Sequence, residues 1–430
     1  MSTKQERRPR VLVTGGSIAG PAVTWGLWRG GFDPTLLERA PRVRGAGQNV
    51  DIRGDGHEVL RRMGMHETVA AAGTGETGTR FLRPDGTAYA SFPVREGRDG
   101  PTAELEILRG QLSKLLLDAT GGEVEHRYGD HLVRVDQDEH GVDVVTAAGR
   151  RERYDLVVIA EGKRSVTRDL VFGDDVAYRD RGQYVAYGTI DRADDDDEWW
   201  HWLTATDSRI VSLRPDNVGS TRATLAFLAP RMGVNRLDAQ AQIAVLRERF
   251  AGVGWQTRRI LDGFADRPQD FYFERAEQVY MPRWSCGRVA ILGDTAWGGP
   301  TGMGTTLALL GAHVLAGELS GELARSRRHG SPYDPRGAYR AYERRLRAHV
   351  QKTQKLPPGV PAVALPRTPR GLKLLHGVHR LIATRALRDV AERAFLPSAS
   401  SALDLPEYPQ LSARVDGGAR DRERSLVPRP

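Results

Sequence analysis

Residues 10–39 read RVLVTGGSIAGPAVTWGLWRGGFDPTLLER, and the succession of textures in this stretch decides the fold. Val11-Leu12-Val13 is a short apolar run rich in β-branched residues, which predicts a buried strand. Gly15-Gly16-Ser17-Ile18-Ala19-Gly20 is a tight turn. Ala22 to Arg29 has helical composition and Gly30-Gly31 ends it. Thr35-Leu36-Leu37 predicts the next strand, which stops at Glu38-Arg39. Strand, glycine turn, helix and strand make a βαβ unit. The N-terminus of its helix offers unpaired backbone N–H groups, a cradle for a pyrophosphate. The pattern G-x-G-x-x-G falls on Gly15, Ser17 and Gly20, with serine in the middle place. Glu38 stands where an acid holds a ribose hydroxyl. Alone, the stretch predicts a bound dinucleotide, NAD as readily as FAD, against the bland alternative of an ordinary α/β turn.

The whole chain suits a protein of two or three domains. It has 430 residues, 40% of them hydrophobic and 27% charged, an ordinary globular balance with room for a sizeable core. The net charge is +8, with the arginines spread along the chain. A diffuse positive field suits anionic cofactors, and no basic block supports nucleic-acid binding. Cys286 is the only cysteine, which excludes an internal disulfide and a cysteine-based metal site. The start, MSTKQERRPR, has no apolar segment behind it. We therefore expect a cytoplasmic protein, monomeric or homodimeric, with no stretch approaching a membrane span and no metal centre.

A second strand-and-loop unit follows a meander. Leu132–Val135, Val142–Val145 and Arg151–Tyr154 predict short antiparallel strands. They lead into Leu156-Val157-Val158-Ile159-Ala160, a continuous apolar run typical of a buried parallel strand, then Glu161-Gly162, Ser165 and Arg168. Arg109 precedes a helix with the stripe Leu112, Leu115, Leu116; by itself it reads equally well as a surface arginine. A third unit is the strand Arg288–Leu292, the loop Gly293-Asp294-Thr295-Ala296-Trp297-Gly298-Gly299-Pro300-Thr301-Gly302-Met303-Gly304 and a long helix from Thr305 to Arg325. One dinucleotide turn has no need of the other two units; a long bipartite ligand lying across the sheet does.

The fold class expected is α/β. A Rossmann-like cofactor domain with a β-meander comprises residues 10–75, 101–175 and 276–355. A mainly antiparallel α+β substrate domain comprises 76–100 and 176–275. A C-terminal helical segment covers 356–410, with Leu372 to Leu396 at helical spacing, and 411–430 is a polar, disordered tail. Phe81-Leu82 and Ala88-Tyr89-Ala90 predict a hairpin. Trp199-Trp200-His201-Trp202 follows an acidic run that reads most simply as a solvated loop.

The three units together resemble the class A flavoprotein monooxygenases of the p-hydroxybenzoate hydroxylase type, over roughly Val11 to Gln354. The resemblance implies that Gly15, Ser17, Ile18, Ala19, Gly20, Glu38 and Arg39 hold the ADP half of FAD. It implies that Arg109 is a further FAD contact, and that Glu161-Gly162, in place of the usual Asp-Gly, handles FAD and NAD(P)H. Asp294 would meet the ribityl-pyrophosphate region, and Trp297, Pro300, Gly302 and Gly304 would lie at the flavin edge. Trp297 stands where histidine is usual, and the loop is about two residues shorter than in the family. The length and C-terminal helices look closer to the single-component enzymes acting on polycyclic antibiotics than to the longer phenol-hydroxylase relatives.

The resemblance further implies reduction of FAD by NAD(P)H, then transfer of oxygen from O2 through a flavin C4a-hydroperoxide to an aromatic, polycyclic or olefinic small molecule. No Ser-His-Asp set and no metal cluster is needed, because the cofactor carries the chemistry. No general base can be assigned from the sequence; His201 and Tyr187 are the candidates. The Trp200-His201-Trp202 run is similar to part of a flavin-dependent halogenase motif, but Leu203-Thr204-Ala205 follows in place of the rest. An O2-independent flavin reductase and a flavin-binding non-redox cyclase of the same fold stay open as alternatives.

Overall fold

The computed structural model describes residues 7–43, 47–95, 100, 102–299, 301–355, 364–384 and 403–411. Val11-Leu12-Val13 forms the strand Arg10–Thr14 at the centre of a six-stranded sheet. In spatial order the strands are Ser285–Cys286, Val289–Ile291, Leu156–Ile159, Arg10–Thr14, Asp33–Glu38 and Glu125–Tyr128. All neighbours pair in parallel except the first two. Register places Val13 opposite both Val158 and Leu36. Each of these is fully buried, in one core that also takes in Val23 and Leu315 from helices and Val142, Val144 and Tyr154 from neighbouring strands. Burying one such side chain stabilises the fold by roughly 1.5–3 kcal/mol.

The helices Ala19–Arg29 and Gly304–His329 pack on this sheet through near-continuous small and apolar surface. Gly26 permits their close approach, since a Cβ there would lie 2.7 Å from the Cβ of Ala316. By length and composition Gly304–His329 is apolar enough to cross a membrane, which corrects the expectation that no stretch approaches a span. Its most apolar window is 78% buried within the protein, as a core helix requires.

The meander Leu132–Gln137, Val142–Thr146 and Arg151–Tyr154 is a separate three-stranded sheet. A seven-stranded sheet forms the second body. Its order is Tyr272–Tyr280, Ala177–Asp191, Ser220–Leu228, Arg209–Pro215, Trp199–Ala205, Gly78–Leu82 and Ala88–Pro93. It is antiparallel apart from the pairing of Trp199–Ala205 with Gly78–Leu82. The tryptophan-rich stretch, which follows an acidic run, is thus a central strand.

Strand alternation sorts the two faces of this sheet. Tyr184, Ala186, Leu203, Leu213, Leu225 and Phe227 point toward the helices Ala239–Arg249 and Thr257–Asp266 and form one core. Val185, Tyr187, Trp202, Ile210 and Ala226 point the other way and meet Leu365. Two ion pairs show where that second face looks. Glu274 at one side pairs with Lys163, and Arg214 at the other pairs with Asp51. The second face is therefore turned toward the six-stranded body. The helix expected at Leu372 to Leu396 is seen as Pro369–Ile382, ending at Ala383; its part from 385 on, Pro357-Pro358-Gly359 and the tail after Leu411 lie outside the described residues.

Candidate cofactor and substrate site

The first glycine turn sits at the carboxyl end of the central strand. Gly15 has φ 102°, and a Cβ on it would lie 2.3 Å from the carbonyl oxygen of Ala160. Only glycine fits. Gly20 is equally constrained, since its Cβ would fall 1.8 Å from the Gly15 oxygen. Ile18 and Ala19 are buried and set the start of the helix, and no side chain caps it. Its free N–H groups are thus left for an anion. Ser17 is exposed, so its side chain stands clear of the packed turn. Glu38 accepts hydrogen bonds from the Gly16 N–H at 2.5 Å and the Ala40 N–H at 2.7 Å, which fixes the carboxylate against the turn. Arg39 is exposed beside it.

The second motif is built differently from what its sequence implies. The carboxylate of Glu161 accepts from Ser165 Oγ at 2.7 Å and from Thr167 Oγ1 at 2.6 Å. It is committed to the start of the helix Val166–Phe172 instead of an outside ligand. Gly162, at φ 84°, donates its N–H to Thr295 Oγ1 at 2.9 Å. Arg168, assigned no role from sequence, is fully buried and donates to the carbonyls of Lys163 and Thr295 and to the Tyr178 hydroxyl. Gly162, Thr295 and Arg168 clamp the second motif onto the third. An arginine three residues after a helix-capping serine was the available signal.

The third loop then closes on the first. A Cβ on Gly293 would lie 2.9 Å from the Cβ of Ala19, so Asp294 is delivered beside the first helix N-terminus. Asp294 Oδ1 lies 3.7 Å from where a Gly304 Cβ would be, at the N-terminus of the long helix. That helix too has no side-chain cap. Asp294 is solvent-accessible yet closely surrounded by protein, as on the floor of a cleft. Burial raises its pKa, while Lys163 and Arg109 pull the other way. Arg109 opens the helix Arg109–Asp118, is exposed, and acts electrostatically on Asp294, Tyr187 and Tyr272. Ser113 on the same helix, missed from sequence, donates to the Gly16 carbonyl at 2.8 Å. Gly302 has φ 70° with open space around it. Pro300 lies outside the described residues.

Three expectations need correction. Trp297 does not line the cleft: it is 3% exposed and packs against Trp284 with ring centroids 4.5 Å apart, beneath Gly311 of the long helix. Trp284, Tyr342 and the close approach of Gly311 hold the ring in the core. His201 points to the helix-covered face of the seven-stranded sheet, where it bonds Asp197 at 2.7 Å and lies against Trp255. Tyr187 does face the cleft, but burial pushes its pKa up to about 12, with Glu274 adding to the shift. It keeps its proton at neutral pH and is a donor, not a base.

The family model described as an FAD binding domain matches residues 8–333. The chain belongs to the FAD-binding family of flavin-dependent monooxygenases. It is 32% identical over 424 residues to flavin-dependent monooxygenase eupH from Phoma sp, covering 93% of this chain and 97% of that protein. The crystal structure of tetracycline destructase Tet(55) superposes with TM-score 0.76 at 29% identity, covering 93% of this chain and 99% of that one. Klebsiella pneumoniae HpxO, a variant solved with FAD, shares the fold at TM-score 0.66 and 19% identity, covering 90% of this chain and 98% of that one. FAD suits the residues present: two uncapped helix N-termini, glycines where a side chain would fill the cradle, and Asp294 between them. The pyrophosphate would sit on Gly15 to Gly20, with the flavin reaching toward Gly302 and Gly304, whose helix dipole favours negative charge.

Proposed function

We propose that this flavoenzyme uses NAD(P)H and O2 to hydroxylate or epoxidise an aromatic, polycyclic or olefinic small molecule, in secondary metabolism or antibiotic modification. The observation that carries this reading is the meeting of three distant glycine motifs opposite an aromatic sheet face. Bound FAD supplies the hydride and oxygen chemistry. The chain's own residues bind, orient and exclude water. Arg109 and Lys163 hold positive charge beside Asp294. Tyr187 and Trp202 offer an aromatic wall, and Tyr187 adds a hydroxyl donor. Such a wall with few polar groups suits a ring system better than a charged metabolite. The likeness to a tetracycline destructase supports a polycyclic substrate.

The test is turnover by the purified protein. It should be yellow, and polycyclic phenols should speed its consumption of NAD(P)H and of oxygen together. Bound FAD that NAD(P)H fails to reduce would replace this reading with a non-redox cyclase. Reduction of substrate with no oxygen uptake would replace it with a reductase.

A further inference from the structure

The cleft face of the seven-stranded sheet is covered partly by the chain's own C-terminal segment. Leu365 is 3% exposed and packs on Val185, Ile210 and Ala226, with Tyr187 and Trp202 alongside. Four residues on, the helix Pro369–Ile382 begins, capped by Thr368, and it runs toward the sheet edge. There His379 lies 4.2 Å from the Phe81 ring, and Tyr89 bonds His379 at 2.9 Å. Phe81 pairs with Trp202 in parallel register and so shares its face.

This cover is fixed by an unusual turn. Thr206–Ser208 joins two neighbouring strands, Trp199–Ala205 and Arg209–Pro215. Asp207 and Ser208 both hold positive φ, at 56° and 58°. A non-glycine residue there costs roughly 1–2 kcal/mol. The conformation turns backbone donors outward onto the segment. Asp207 N–H donates to Arg367 O at 3.0 Å and Ser208 N–H to Pro366 O at 3.2 Å. Ser208 Oγ, 1% exposed, donates to Leu365 O at 2.7 Å. Three hydrogen bonds on three successive carbonyls hold Leu365 in one place.

We propose that Leu365 is a specificity-determining residue: its side chain forms the wall that limits substrate size beside Tyr187 and Trp202, and Ser208 is the positioning residue that fixes it. The inference rests on the reading of this face as the substrate wall. Leu365 fills the end of this face, so a smaller side chain there opens room for a ring that lies along Tyr187. A pocket wall of this kind discriminates by about 10- to 200-fold per missing or added methylene group.

The experiment measures Kd, from the change in flavin absorbance of the FAD-loaded protein, for phenols of one, two, three and four fused rings. Leu365→Ala should shift preference toward the larger probes by about tenfold relative to wild type, and Leu365→Trp should shift it toward the smaller. Ser208→Ala should weaken all probes without reordering them. Thermal melting and FAD content establish that each variant is folded, and Leu365→Met supplies a volume-conserving version that keeps the wild-type order. If Trp202→Ala alters binding while every Leu365 variant keeps the wild-type order, the assignment of Leu365 is wrong and the face survives. If no probe perturbs the flavin, or if Trp202→Ala and the Leu365 variants all leave binding unchanged, the face itself is misassigned and the proposal falls with it.

Discussion

Gly15 is where a single added carbon would break the first glycine turn. Its φ of 102° and the 2.3 Å approach to Ala160 leave no place for a methyl group. Gly15→Ala should lower FAD affinity at least about tenfold, since strain of 1.4 kcal/mol already suffices; flavin retained on gel filtration measures it. Trp297 gives the opposite expectation. Its indole N–H is buried without a partner among the described residues, so Trp297→Phe should change stability by less than about 1 kcal/mol, with NAD(P)H oxidation unaltered. Trp297→His, which restores the residue usual in the family, should cost about 2 kcal/mol by burying a polar ring in the core. Melting curves and flavin reduction rates check both. The sequence placed Trp297 at the flavin edge because motif spacing says nothing of which way a ring turns. Arg168 shows the converse: the capping Ser165 marks its place in a first helical turn, but its burial at 0% exposure and its bridge between two motifs depend on partners far off in sequence. Arg168→Ala should destabilise by about 3 kcal/mol through the partners left unpaired, seen as a lower melting temperature and lost FAD together.

At the scale of elements, the parallel strands were legible because they are continuous apolar runs, and Leu156–Ile159 is buried at every position. Glu125–Tyr128 and Tyr272–Tyr280 were not, because charge interrupts them. Arg127 ties Glu125 to Glu152, and Glu274 and Glu277 pair with Lys163 and Arg164. Those charges are satisfied across elements, which composition along one strand cannot reveal. The same principle joins the two bodies. Asp51, Glu76 and Glu106 surround Arg214, which also lies over the Trp200 ring. Burial pushes Glu106 up to about 7, with Arg214 opposing and Glu76 reinforcing the shift. A carboxyl whose folded pKa lies above its unfolded value of about 4.3 favours the fold below that value. That contribution is lost as pH rises through about 7. Glu106→Gln should therefore match wild type in acid and become more stable than it between about pH 4.3 and 7, by roughly 3 kcal/mol at the upper end. Melting temperature against pH tests the sign.

Over the whole molecule, three turns that are far apart in sequence become one surface. Gly293 rests on Ala19, Gly162 bonds Thr295, and Asp294 lies between two uncapped helix N-termini. This convergence was legible from the ordered motifs, whereas the seven-stranded sheet that faces it was seen only in pieces. We propose that this surface holds a flavin that NAD(P)H reduces and O2 reoxidises. The direct measurement is rapid mixing of the FAD-loaded protein with NADPH in the absence of oxygen, followed by oxygen. The flavin absorbance should bleach, faster when a polycyclic phenol is bound, and return only when oxygen is admitted. A flavin that keeps its colour through excess NADPH and NADH, with or without the phenol, would contradict it.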